Sequence, residues 1–200
     1  MKSSDPKRGM KGTLSRPRAY AQTVLDLVPG PLLIDAGPRT DFFVDPVDGK
    51  VVANAPARMA RVEGDFVLSA LVEVAFKATF DAGALIVWAD DRRWAKLAFE
   101  LSPQHERMVV SVVTCGRSDD CNSTVVDAGT VWLRIARMGE AYAFHASRDA
   151  ERWDLVRHFH LAGAVEIGFA AQSPTGDGCE ATFSDIRLEQ RTLLDIRDRS

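Results

Sequence analysis

The sequence predicts an all-β protein, a sandwich or barrel of short strands. Turn signals built on Gly, Pro, Asp and Asn recur at intervals of about ten residues, the spacing of such folds. The runs between them are rich in Val, Ile, Leu, Phe and Trp, residues that fit a pleated surface. Helical periodicity is confined to two short stretches, Arg18 to Leu27 and Arg191 to Arg197.

Taken in order, Leu32-Leu33-Ile34 between Pro31 and Ala36-Gly37-Pro38 reads as a first short strand. Thr40 to Pro46 follows, closed by the turn signal Asp48-Gly49. The Asp residues here are read as turn formers rather than ligands. Pro56 to Val62 and Asp65 to Phe76 are strands joined by Glu63-Gly64. In the longer one Phe66, Leu68, Ala70, Val72, Val74 and Phe76 share a wholly apolar face, which is assigned to the core.

The organising stretch is Phe80 to Leu101. Two apolar arms flank Asp90-Asp91-Arg92-Arg93, the pattern of a β-hairpin with a short turn. Alternation along the second arm puts Ala95, Leu97, Phe99 and Leu101 on one face. Trp94, Lys96, Ala98 and Glu100 occupy the other, so an aromatic, a cation and an anion stand in file.

Beyond it, Arg107 to Thr114 is a Val-rich strand, Cys115 to Asp120 a polar turn, and Ser123 to Val126 the start of another strand. Trp132 to Arg137, Ala141 to Ser147, Trp153 to Leu161 and Val165 to Ala171 continue the series. Imperfect alternation in Ala181 to Glu189 predicts a bulge near Ser184.

The chain has 200 residues, 46% of them hydrophobic, enough to bury the core of one domain. Residues 1–18 carry six Lys or Arg against Asp5, about +5, so the remainder is about −8 of the total −3. This tail, with its Ser, Pro and Gly, is read as disordered, and residues 19–200 as the domain. An acidic body carries no electrostatic footprint for nucleic acid. No apolar run reaches the length of a membrane span, and Gln22 and Asp26 interrupt the nearest approach to a signal-peptide core. Cys115, Cys121 and Cys179 match no zinc spacing and are read as free thiols of a cytoplasmic protein, with a Cys115–Cys121 pair left open. No cofactor is implied.

The order of motifs resembles a known family. The motifs are TDFFVDP (40–46), GDF (64–66), FDAGALIVWADDRRWAKLAFE (80–100), VVT (112–114), RSDD (117–120), WLRIAR (132–137), SRDAERW (147–153) with Arg157, and SPTGDGCEATFSDIRL (173–188). They are similar in order and spacing to the concanavalin A-like β-sandwich proteins of unknown function typified by YesU, and to the fungal regulator-of-enolase proteins. The resemblance implies a jelly-roll sandwich of two antiparallel sheets, one of them lining a groove. It also implies a Gln where this chain has Ala82, so an amide able to meet a ligand is missing.

The polar file supplies the candidate site. Lys96 and Glu100 are four residues apart on one strand, so their partners must come from neighbouring strands. Thr114 and Arg134 are the candidates, each on a strand whose opposite face is apolar. A floor of Trp94, Lys96, Glu100, Thr114 and Arg134 suits non-catalytic binding of a carbohydrate or similar polar molecule, by stacking and charged hydrogen bonds. The alternative is a solvated ion-pair network with no ligand. A glycosidase needs two carboxyl groups at defined separation. Glu100 has Ala98 before it and Ser102 after it at a spacing of two, so a glycan hydrolase or lyase would need a loop residue such as Asp119, Asp120 or Asp149. A third reading, implied by the regulator resemblance, is a protein-interaction module. His158-x-His160 lacks a third metal ligand, and no metal site is predicted. Sandwich edges permit dimerisation without requiring it.

Overall fold

A computed structural model describes residues 30–200. Its strands are β1 (Leu32–Ala36), β2 (Phe42–Val44), β3 (Val51–Ala53), β4 (Ala57–Val62), β5 (Phe66–Val74), β6 (Ala82–Asp90) and β7 (Arg93–Leu101). They continue with β8 (Arg107–Cys115), β9 (Ser118–Val125), β10 (Thr130–Met138), β11 (Ala141–Ser147), β12 (Asp154–His160), β13 (Val165–Gln172) and β14 (Cys179–Glu189). There is no helix among the described residues, hence none able to cross a membrane.

Two six-stranded antiparallel sheets stack face to face. One runs β1-β14-β5-β10-β11-β12 and the other β4-β13-β6-β7-β8-β9, with a β2-β3 ribbon beside them. The alternation read in the sequence locates the core. Phe66, Leu68, Ala70, Val72 and Val74 of β5 meet Leu85 and Val87 of β6 and Ala95, Leu97 and Phe99 of β7, all buried in one apolar cluster. Such buried side chains contribute about 1.5–3 kcal/mol each relative to exposure. Gly168 of β13 is obligatory. A Cβ there would lie 1.9 Å from the carbonyl oxygen of Arg58, inside the β4–β13 ladder.

The bulge expected in β14 is present as a register shift between Ser184 and Arg187, with Asp185 at a φ of 49°. Three expectations need correction. The polar segment 115–120 is not all turn. Gly116, at a φ of 82°, turns the chain and β9 begins at Ser118. The Val51–Ala53 strand escaped the sequence reading because three residues carry too little periodicity. The segment Arg191 to Arg197 is not helical. Leu193 packs with Val67, Ala136 and Ala143 on the outer face of the β5–β10–β11 sheet. Asp195 and Asp198 accept hydrogen bonds from the Arg197 and Ser200 amides, which draws the backbone into turns. The basic tail and the stretch Arg18 to Leu27 lie outside the described residues.

Cys121 stands opposite Ser111, four residues along β8 from Cys115. At a rise of about 3.3 Å per residue the two are some 13 Å apart along the strand, too far for a disulfide. All three cysteines are free thiols, with Cys179 buried.

Candidate functional site

Each strand of the second sheet has one face in the core and one turned outward. Outward are Ala82, Ala84, Ile86 and Trp88 of β6, Trp94, Lys96, Ala98 and Glu100 of β7, and Val112 and Thr114 of β8. The β2–β3 segment divides this face. Phe42 packs on Trp88 at 5.3 Å and on Trp94 at 6.2 Å between ring centroids, and the two indoles stack at 6.0 Å. At the other end the three alanines 82, 84 and 98, all 0–2% exposed, form a small buried apolar cluster of their own.

This division redistributes the five site residues predicted from sequence. Trp94 is 1% exposed beneath Phe42 and belongs to a second, minor core, so it is not an open stacking platform. Thr114 shares a 2.8 Å hydrogen bond with Ser118, whose Oγ accepts from the Val44 amide at 2.9 Å. Its work is to fasten the ribbon. Arg134 lies in the other sheet, on the face turned away from the core. It stacks on Trp153 at 4.4 Å, stands across the ladder from His145, and donates from Nη1 to the Ser200 carbonyl. Alternation identified its polar face correctly but does not say which sheet owns the strand. Burial pushes the His145 pKa down to about 4, with the Arg134 charge adding to the effect.

Lys96 and Glu100 do share the recess. The Lys96 ammonium, 3% exposed, donates to Asp41 Oδ1 at 2.9 Å and to Gln172 Oε1 at 2.7 Å. Gln172 Nε2 in turn donates to the Phe80 carbonyl at 3.2 Å. Gln172 stands directly opposite Ala82 in the β13–β6 ladder.

Glu100 is 8% exposed, and no donor among the described residues hydrogen-bonds its carboxyl. Its ladder neighbours, Ala82 and Met108, bring no charge. Desolvation dominates and raises its pKa from 4.5 to about 8; Lys96 opposes this, while the Asp120 and Asp41 carboxylates reinforce it. Asp120, an exposed residue of β9, is also raised, by partial desolvation against the pull of Lys96. Of the three loop carboxylates considered beside Glu100, Asp120 is the one within its electrostatic reach. Asp119 pairs instead with Arg157 at 3.1 Å, and Asp149 organises its own turn.

Two residues of this region had no clear signal in the sequence. Gln172 ends a strand whose pairing partner is invisible before folding. Phe80, just ahead of β6, is 36% exposed at a φ of 70°, an unfavourable conformation for an aromatic residue. The Asp45 and Asp48 carboxylates accept from the Val47, Asp48 and Lys50 amides, the turn chemistry expected of them.

No curated protein matches the chain in sequence. Among solved structures, a functionally unknown protein from Saccharomyces cerevisiae superposes with a TM-score of 0.75 at 24% identity, over 88% of this chain and 94% of that one. A GH43 protein from Bacillus licheniformis gives 0.65 at 13% identity, and a xylan β-1,4-xylosidase from Bacillus halodurans C-125 gives 0.61 at 14%. Each is matched over 80% of this chain, which spans only 33% and 32% of those two proteins. These likenesses place the fold in the concanavalin-like β-sandwich class seen in carbohydrate-active proteins. The model of a protein family of unknown function, DUF1349, matches residues 24–191, and the chain belongs to that family.

Proposed function

We propose that the protein binds a carbohydrate or similar polar small molecule, without catalysis, in the recess edged by Glu100 and Asp120, with Lys96 and Gln172 largely buried beneath them. One observation carries this reading. Glu100 is 8% exposed, its carboxyl has no hydrogen-bond partner among the described residues, and its oxygens are not fully buried, so they stay open to a polar ligand. Held neutral, it is both a donor and an acceptor facing the recess. Hydroxyl groups of a sugar are suited to it. The fold likeness to parts of GH43 proteins, one a xylan β-1,4-xylosidase, supports a saccharide as the ligand class.

Hydrolysis by Glu100 and Asp120 is the weaker reading. Glu100 has no second carboxylate on its own strand face, since Ala98 and Ser102 flank it at a spacing of two, and Asp120 is an exposed residue of β9. The resemblance to YesU-like and regulator-of-enolase proteins is compatible with residues 19–200 acting as one binding domain behind a basic tail, and the free thiols with a cytoplasmic setting.

A glycan array and calorimetry with the wild type and with Glu100→Ala test the proposal. Removing the carboxyl should abolish binding while circular dichroism still reports the native β-sheet fold. Absence of any binder at millimolar concentration refutes the lectin reading and favours the protein-interaction module. Glycan turnover that Glu100→Gln eliminates would replace binding with catalysis.

A further inference from the structure

Commitments among the charged groups narrow the ligand class of this recess; the argument rests on the binding reading above. Lys96 is the cation at its centre, and its ammonium is engaged by the Asp41 carboxylate and the Gln172 amide oxygen. Arg157, on β12 beyond the β9 edge, is held by the Asp119 carboxylate at 3.1 Å and by the Asp119 and Ser111 carbonyls. β6 and β8 bring alanines, Met108 and other uncharged side chains to the recess, and β13 brings Gln172. Among the described residues, Glu100 and Asp120 are therefore the charge-bearing groups left without a cation in contact, and both are carboxyls.

An anionic sugar would meet two acidic groups and no uncommitted cation. A neutral sugar would find acceptors and one acidic donor. A protonated amine would find one largely buried carboxyl, Glu100, where a charge-assisted hydrogen bond is strong, with the exposed Asp120 carboxylate beside it. We infer that the recess selects a protonated amine carried on a hydroxyl-bearing frame, with an amino sugar as the simplest case, and rejects carboxylated sugars. The proton balance is explicit. The incoming ammonium stabilises the Glu100 carboxylate, so the carboxylic proton passes to solvent buffer as the ion pair forms, and the ligand keeps its own proton. The groups that set this exchange are Lys96 on the same strand, Asp41 before β2 and Asp120 on β9, with Arg157 acting on Asp120 from β12.

Isothermal titration at pH 7 in two buffers of different ionisation enthalpy tests it, with glucosamine, N-acetylglucosamine and glucuronate as probes. Glucosamine should bind about tenfold or more tighter than its N-acetyl analogue and release up to one proton per ligand. Glucuronate should not bind. Glu100→Gln, which preserves shape, should lose both the preference and the proton release. Equal binding of glucosamine and N-acetylglucosamine, or binding of glucuronate, overturns the inference while leaving a sugar recess intact. Silence of all three probes, together with a blank glycan array, removes the recess itself.

Discussion

Replacing Glu100 by Gln isolates the buried carboxyl from everything else in the molecule. In the folded chain burial lifts the Glu100 pKa from its ordinary 4.5 to about 8. Between those two values the native state keeps a proton that the unfolded chain has released, so stability falls as pH rises across that window. At about 1.36 kcal/mol for each tenfold change in proton affinity, the accumulated loss reaches roughly 3–5 kcal/mol by pH 9, the lower figure allowing for relaxation around the buried charge. Gln keeps the shape and most of the hydrogen-bonding capacity of the protonated acid without the titration. Urea unfolding of wild type and Glu100→Gln from pH 4 to pH 9 reads the difference directly, because other titrating groups largely cancel between the two proteins. The variants should agree near pH 4, diverge above pH 5, and leave the variant more stable by several kcal/mol at pH 9. A difference that stays flat across the range would show that Glu100 ionises normally and would remove the physical basis for the recess.

The same electrostatics predicts that Asp120→Asn moves the Glu100 titration to lower pH, since a like charge is removed; carbon-detected NMR of the Glu100 carboxyl would follow it. Lys96→Met strands Asp41 and Gln172 and should cost about 2–4 kcal/mol by chemical denaturation. Unchanged stability there would mean that the Lys96–Asp41 pair is not formed in solution. Phe80→Gly relieves a φ of 70° and should stabilise the fold by about 1 kcal/mol in thermal melts. A loss of stability would show that the Phe80 ring is a packing residue instead. Gly168→Ala should lose 3 kcal/mol or more, in the manner of a severe core overpacking, because the added methyl meets the Arg58 carbonyl. Retention of wild-type stability would contradict the β4–β13 register.

Much of the architecture was legible before folding because strand alternation is local. The faces of β5 and β7 follow from a period of two, and burial of Leu68, Val72, Leu97 and Phe99 confirms that reading. The bulge near Ser184 was legible for the same reason, as a break in the period. The site was legible only in part. Lys96 and Glu100 could be found because they share one strand face, and that relation needs no knowledge of other strands.

What the sequence alone determined, then, is which residues face together along each strand. What the tertiary structure decided is which strands become neighbours and what covers them. Trp94 and Trp88 disappear beneath Phe42, and Arg134 falls in the opposite sheet. Gln172 arrives opposite Ala82 from a strand about ninety positions later, while Asp41 reaches Lys96 from fifty-five positions earlier. The physical reason is that local backbone geometry sets alternation, whereas ladder order is set by burying both apolar faces at once. A lysine between a distant aspartate and a distant amide, and a glutamate without a partner, are products of that second, global constraint.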